Sequence, residues 1–237
     1  MNSSEIAIQS LFNIGPVAIT STVVTTWAIL LGLTLFIGVY TRHLAAAPGK
    51  MQTAIEAVVI AMEDAIAAVA PEHAKRLLPF VGSLWIFLVV SNLIGLIPGA
   101  HSPTRDFSAT AALAALVFLS VHWYGIRISG LKAYLHHYLT PTPFLLPFHI
   151  VSEITRTVAL AVRLFGNMMS LEMTALLILM VAGFLAPIPI LALHIIEALV
   201  QAYIFGMLAL VYIASGIQAQ SIKQSTSSTQ NTTQSSE

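Results

Sequence analysis

The chain contains no cysteine, which removes disulfide frameworks, thiolate metal sites and cysteine nucleophiles together. It is almost as poor in charge. Of 237 residues, 10 are Lys or Arg and 10 are Asp or Glu, 8% in all, where a soluble domain carries roughly 25%. So few charged side chains cannot cover the surface of a water-soluble fold of this length. The net charge is +0 and no basic run occurs, so the electrostatic footprint of a nucleic-acid binder is missing. Neither G-x-x-x-x-G-K-[ST] nor G-x-G-x-x-G appears, and no nucleotide site is evident. The first residues lack a basic segment and include Glu5, which argues against a cleaved signal peptide. What is abundant is apolar: 57% of residues are hydrophobic and the mean hydropathy is +0.86. The chain is an integral membrane protein by composition.

A spanning helix needs about 20 mostly apolar residues. Val17 to Tyr40, Leu77 to Gly99 and Phe107 to Ile126 each supply such a run, the third free of Lys, Arg, Asp and Glu and including His122. Strand-like alternation is absent, which excludes a membrane β-barrel. From Phe144 to Ala186 the chain stays apolar but admits Glu153, Arg156, Arg163 and Glu172; Pro187 and Pro189 break it, and a last run extends from Ile190 to about Ile217. The expected fold is an all-α, polytopic membrane protein of about five transmembrane helices, with the last two forming a long, tilted C-terminal hairpin. Phe144 to Ala186 would measure about 64 Å as one helix, against a hydrocarbon core of about 30 Å. It must therefore tilt, break or begin outside the membrane, and Pro147 favours a helix start near residue 148. Met51 to Ala70 is too charged to span. Glu56 and Glu63 share one face, and the segment is expected to be an amphipathic helix at the cytoplasmic interface or on another span.

Basic loop residues set the orientation. Of the 10 Lys and Arg, seven (Arg42, Lys50, Lys75, Arg76, Arg127, Lys132 and Lys223) fall on one side and only Arg105 on the other, the remaining two being Arg156 and Arg163. The N-terminus is thus expected outside and the C-terminus in the cytoplasm. Residues 1–220 read as a single membrane domain. Residues 221–237, almost wholly Ser, Thr, Gln and Asn, read as a disordered polar tail.

The hairpin concentrates the chemistry. An Arg at the centre of a spanning helix costs about 2.5–3.5 kcal/mol on insertion scales, and Arg163 has about a turn of apolar residues on either side. Glu172 lies about 13 Å along the helix on the opposite face, and Glu153 about 15 Å away. Arg156 shares the face of Arg163 but has the same sign. Asn167 also shares it and can hydrogen-bond but not neutralise. A buried unpaired guanidinium is costly, so its counter-charge is expected from another subunit. In the last helix, His194, Glu197 and Gln201 stand at i, i+3 and i+7, a polar stripe suited to proton exchange or to holding water. Metal ligation by His194 and Glu197 would need a second pair of ligands that the sequence does not offer. His136 and His137 point to different sides of a helix and read as interfacial.

These residues resemble a known family. Arg163-Leu164-Phe165-Gly166-Asn167-Met168, the following Glu172, and Gln201-Ala202-Tyr203-Ile204-Phe205 through Leu210-Val211-Tyr212-Ile213 are similar to subunit a of the rotary F-type ATP synthase, as is Asn92-Leu93-Ile94-Gly95-Leu96-Ile97-Pro98-Gly99. The resemblance implies a stator beside a rotating ring of c subunits, in a bacterial inner membrane, with the b-subunit peripheral stalk and the remaining synthase subunits as further partners and no cofactor. It implies that Arg163 separates two half-channels through which protons reach the ring carboxylates, and that the chain is not catalytic alone. Asn167, Glu172, His194 and Gln201 match the family's polar positions, and Glu197 joins them by its place on the stripe. Glu153 and Arg156 stand near the cytoplasmic exit. The chain departs from the family pattern at His149, where an acidic residue is common, and at Thr157, where proline is common. Sodium is the alternative coupling ion. A secondary transporter would show internal repeats and an intramembrane enzyme a nucleophile–base pair; the sequence displays neither.

Overall fold

The computed structural model describes residues 10–14, 17–42, 49–96, 102–130, 146–182 and 187–234; the side chains of 10–19, 129, 146, 149, 172, 179, 182, 187, 188, 190 and of residues beyond Ile217 are not described. His136, His137 and Lys132 lie outside the described residues. Among the described residues the structure is nearly all helical, and five helices are long and apolar enough to cross a membrane: Ser21–Thr41, Pro71–Ile94, Phe107–Ile128, Ile150–Ile178 and Leu191–Ile217.

The chain opens with an antiparallel pair, β1 (Ser10–Ile14) and β2 (Val17–Thr20), with Phe12 opposite Ile19 and Ile14 opposite Val17. This moves the start of the first span, expected at Val17, to Ser21. Val17, Ile19 and Thr20 are β-branched and follow Gly15-Pro16, so they favour an extended pairing over a first helical turn. Helix α1 (Ser21–Thr41) then keeps only Ile29 buried. Its threonines hide their hydroxyls on the helix itself: Thr25, Thr26 and Thr34 donate to the carbonyls of Ser21, Thr22 and Leu30 at 2.9, 2.8 and 2.7 Å. A helix apolar on all sides, with its polar groups satisfied internally, suits a lipid environment.

Helix α2 (Lys50–Val69) is the amphipathic segment; it packs on a span, with Ile66 fully buried beside Leu77 and Val81. A short turn at Pro71–His73 leads into α3 (Ala74–Ile94), and a second at Pro103–Arg105 leads into α4 (Phe107–Ser129). Asp106 caps α4 by accepting from the Ser108 N–H at 2.9 Å, and Gly130 ends it at φ +83°, where glycine is favoured. Helix α5 (Leu146–Ala182) has 37 residues, about 55 Å of helix, with Pro147 in its first turn. Helix α6 runs Pro187–Gln234. The helix assignment continues through the polar stretch to Gln234.

Helices α3 to α6 form the bundle. Leu84 and Leu88 of α3, Val117 of α4, Leu160 and Leu164 of α5, and Phe205 of α6 meet in one cluster. A second, nearer α2, gathers Ile66, Leu77, Val81, Trp85, Val121, Leu210 and Ile213. On α6 the contact face is small: Ala198, Ala202 and Gly206 recur every four residues and are buried, which lets neighbouring backbones approach where lipid supplies no hydrophobic drive.

Candidate functional site

Arg163 is at the middle of the α5 span, Ile150–Ile178. Its neighbours Leu160, Ala161, Leu164 and Met168 turn into the bundle, which leaves Arg163 on the outward side with Ala159, Gly166 and Ser170, all exposed. Among the described residues Arg163 has no ion-pair or hydrogen-bond partner. Arg156, two turns earlier, is held instead: its guanidinium is 3.8 Å from Glu153 Oε1 and sits 4.9 Å from the ring centre of Tyr212 on α6.

The polar stripe of α6 faces α5. Gln201 is 1% exposed and His194 8%, while Glu197 is half-buried. The decisive contact is between helices: Asn167 Nδ2 donates to Gln201 Oε1 at 2.6 Å. Residues 34 positions apart are thereby joined, and Asn167 lies one turn beyond Arg163 on α5. Gln201 Nε2 and His194 Nε2 are buried without a hydrogen-bond partner among the described residues. Glu172 lies further along α5, and only its backbone is described. Among the described residues no three of His, Asp and Glu come together as a metal-holding set.

A second polar group, unmarked by spacing, lies on the α3 side. Asn92 is fully buried, donates to the Ala198 carbonyl of α6 at 3.2 Å and accepts from Thr104 at 2.8 Å. The Ser102 hydroxyl lies 2.6 Å from that of Thr104 and donates to the Ser91 carbonyl at 2.8 Å. Further along, the Trp85 indole N–H donates to the Tyr203 carbonyl at 3.3 Å, and the two rings stack 6.0 Å apart. Asn92 opens the Asn92–Gly99 segment that resembles the family, but its contacts with Ala198 and Thr104 are not legible there; nothing in the sequence pattern singles out Trp85 or Gly206.

The ATP synthase A chain family model matches residues 21–214, which takes in α1 to α5, most of the α6 span and all the polar residues just described. The chain belongs to the ATP synthase A chain family. Its relatives agree over nearly their whole length. ATP synthase subunit a 1 of Hahella chejuensis is 62% identical over 220 residues, covering 93% of this chain and 94% of that one. ATP synthase subunit a 2 of Pelobacter propionicus is 60% identical over 217 residues, 92% and 95% of the two chains. ATP synthase subunit a of Legionella pneumophila is 60% identical over 213 residues, 90% and 93%. Membership in this family, with five membrane-capable helices, makes the chain a multi-pass membrane-sector subunit of an ATP synthase.

Proposed function

We propose that the chain is the proton-translocating stator of the synthase, working against a rotating ring of c subunits, with Arg163 as the fixed charge between two half-channels. One observation carries the reading. A guanidinium stands outward at mid-span with no carboxylate beside it among the described residues, a placement that is costly in lipid and becomes favourable only when a partner brings a carboxylate. The small side chains around it, Ala159, Gly166 and Ser170, leave room for a helix to pass close by.

The mechanism follows from electrostatics. A protonated, neutral ring carboxyl faces lipid at little cost, whereas a carboxylate does not. At an ion-pair distance of about 4 Å and an effective dielectric near 20, Arg163 favours the ionised form by about 4 kcal/mol, roughly a thousandfold. The proton therefore leaves toward one half-channel as the carboxyl approaches Arg163, and another is taken up from the opposite half-channel once the carboxylate has moved past. The positive charge also blocks direct passage between the channels. Asn167, Glu172, His194, Glu197 and Gln201 line the outer path, and Glu153 with Arg156 stands at the cytoplasmic exit. The chain carries out no bond chemistry alone; it couples ion flow, about 2.3 kcal/mol per charge per 100 mV, to rotation. The N-terminus is periplasmic, the C-terminus cytoplasmic, the b-subunit stalk a further partner, and residues 221–237 a polar extension of the membrane body 1–220 in a bacterial inner membrane.

The test is ATP-driven acidification of inverted vesicles carrying the whole complex. Protonophore-sensitive acidification in wild type should vanish in Arg163→Ala. Normal pumping by the variant overturns the role of Arg163, and sodium-dependent ATPase activity without primary acidification replaces the proton as coupling ion.

A further inference from the structure

We propose that Trp85 and Asn92 are positioning residues: from α3 they grip the main chain of α6 at two carbonyls on either side of Gln201 and fix the rotation that sets Gln201 against Asn167. The two bonds fall at Ala198 and at Tyr203, three residues before Gln201 and two after it. Both are made to backbone, so they hold α6 whatever its own side chains do. Helix contacts in lipid otherwise rest on packing and are rotationally soft.

The Trp85 grip is also steric. A Cβ at Gly206 would run into Trp85 Nε1 and Cδ1 and lie 2.7 Å from Cε2, so the indole occupies the place where any other residue's side chain would start. With Tyr203 also stacked on it at an interplanar angle of 8°, the ring engages two positions of α6. At the Asn92 end the side chain is itself fixed, since its oxygen accepts from Thr104 while its nitrogen reaches α6. The tolerance is small. With side-chain atoms about 5–6 Å from the helix axis, a rotation of about 20° shifts them by about 2 Å. That carries the 2.6 Å Asn167–Gln201 bond beyond the roughly 3.2 Å limit of a hydrogen bond.

The absence of native cysteine makes rotation directly measurable. In the assembled complex, Asn167→Cys with Gln201→Cys places the only two thiols of this chain at the bond, and their oxidation is read as a linked peptide by mass spectrometry. Asn92→Leu or Trp85→Phe in that background should lower the disulfide yield at least twofold, and both together at least fivefold. Trp85→Phe keeps an apolar aromatic side chain but loses the pyrrole half of the indole. With it go both the N–H that reaches Tyr203 and the atoms that lie against Gly206. The variant thus removes the grip by a modest apolar change and decides the matter where a larger change impairs assembly. Wild-type yield in the Trp85→Phe protein overturns the proposal. Separately, with native Asn167 and Gln201, Asn92→Leu should slow pumping severalfold yet add nothing in a Gln201→Leu background; losses that multiply would mark a general structural role and refute positioning. The pumping arm rests on the stator reading and the disulfide arm does not: normal pumping in Arg163→Ala sinks the former alone, and an undisturbed disulfide sinks only the clamp.

Discussion

Gln201→Leu separates what the Asn167–Gln201 bond does for transport from what it does for stability. Gln201 is 1% exposed; its oxygen accepts from Asn167 at 2.6 Å while its nitrogen is buried without a partner among the described residues. Leucine of similar size forfeits the bond, a net loss of about 0.5–1.5 kcal/mol, and leaves the Asn167 amide unmet, at about 1–3 kcal/mol. It also removes the unmet Gln201 nitrogen, an offset of the same order, so the melting temperature of the complex should scarcely move. Pumping has no such offset. Where the bond holds the polar path in register, a loss of about 1–3 kcal/mol corresponds to roughly 5- to 150-fold in rate. The assay is ATP-driven acidification of inverted vesicles at matched subunit content, beside thermal unfolding of the purified complex. Asn167→Leu combined with Gln201→Leu should pump no worse than either alone, because both singles break the same bond. Wild-type pumping in Gln201→Leu, or losses that multiply in the double variant, would refute the reasoning.

Two further outcomes are expected. Thr104→Val leaves the fully buried Asn92 oxygen without its donor and should destabilise the complex by about 1–3 kcal/mol, read as a lowered denaturation midpoint, with Thr104→Ser largely restoring it. Single cysteines introduced at Ser228 and at Ser4 should react with a membrane-impermeant maleimide from the cytoplasmic and periplasmic sides respectively; the reverse pattern would overturn the orientation taken from the loop charges.

Much of this protein was legible in the sequence because the relevant patterns are local. A run of apolar residues fixes where a helix can lie in a bilayer, since every backbone polar group there must bond within its own segment. Thus the cores of five spans, the amphipathic helix near 50–69 and the hairpin break at Pro187 needed no structure. Helical periodicity placed His194, Glu197 and Gln201 on one face and put Asn167 a turn from Arg163. The strand pair at 10–20 escaped because an apolar run of β-branched residues serves a span and a hairpin equally well.

Contacts between helices are of another kind. That Asn167 should meet Gln201, that Arg156 should turn to Tyr212, and that Arg163 should be left facing outward depend on the rotation and crossing of α3, α5 and α6. Those are set by volumes that fit across the interface, above all the Trp85 indole in the space a glycine leaves at 206. No periodicity records such a fit, because its two halves lie far apart in the chain and either half alone is an ordinary apolar helix residue. The sequence by itself determined which groups are available at mid-membrane; the tertiary structure alone decided which of them touch, since side-chain volume acts only across a packed interface.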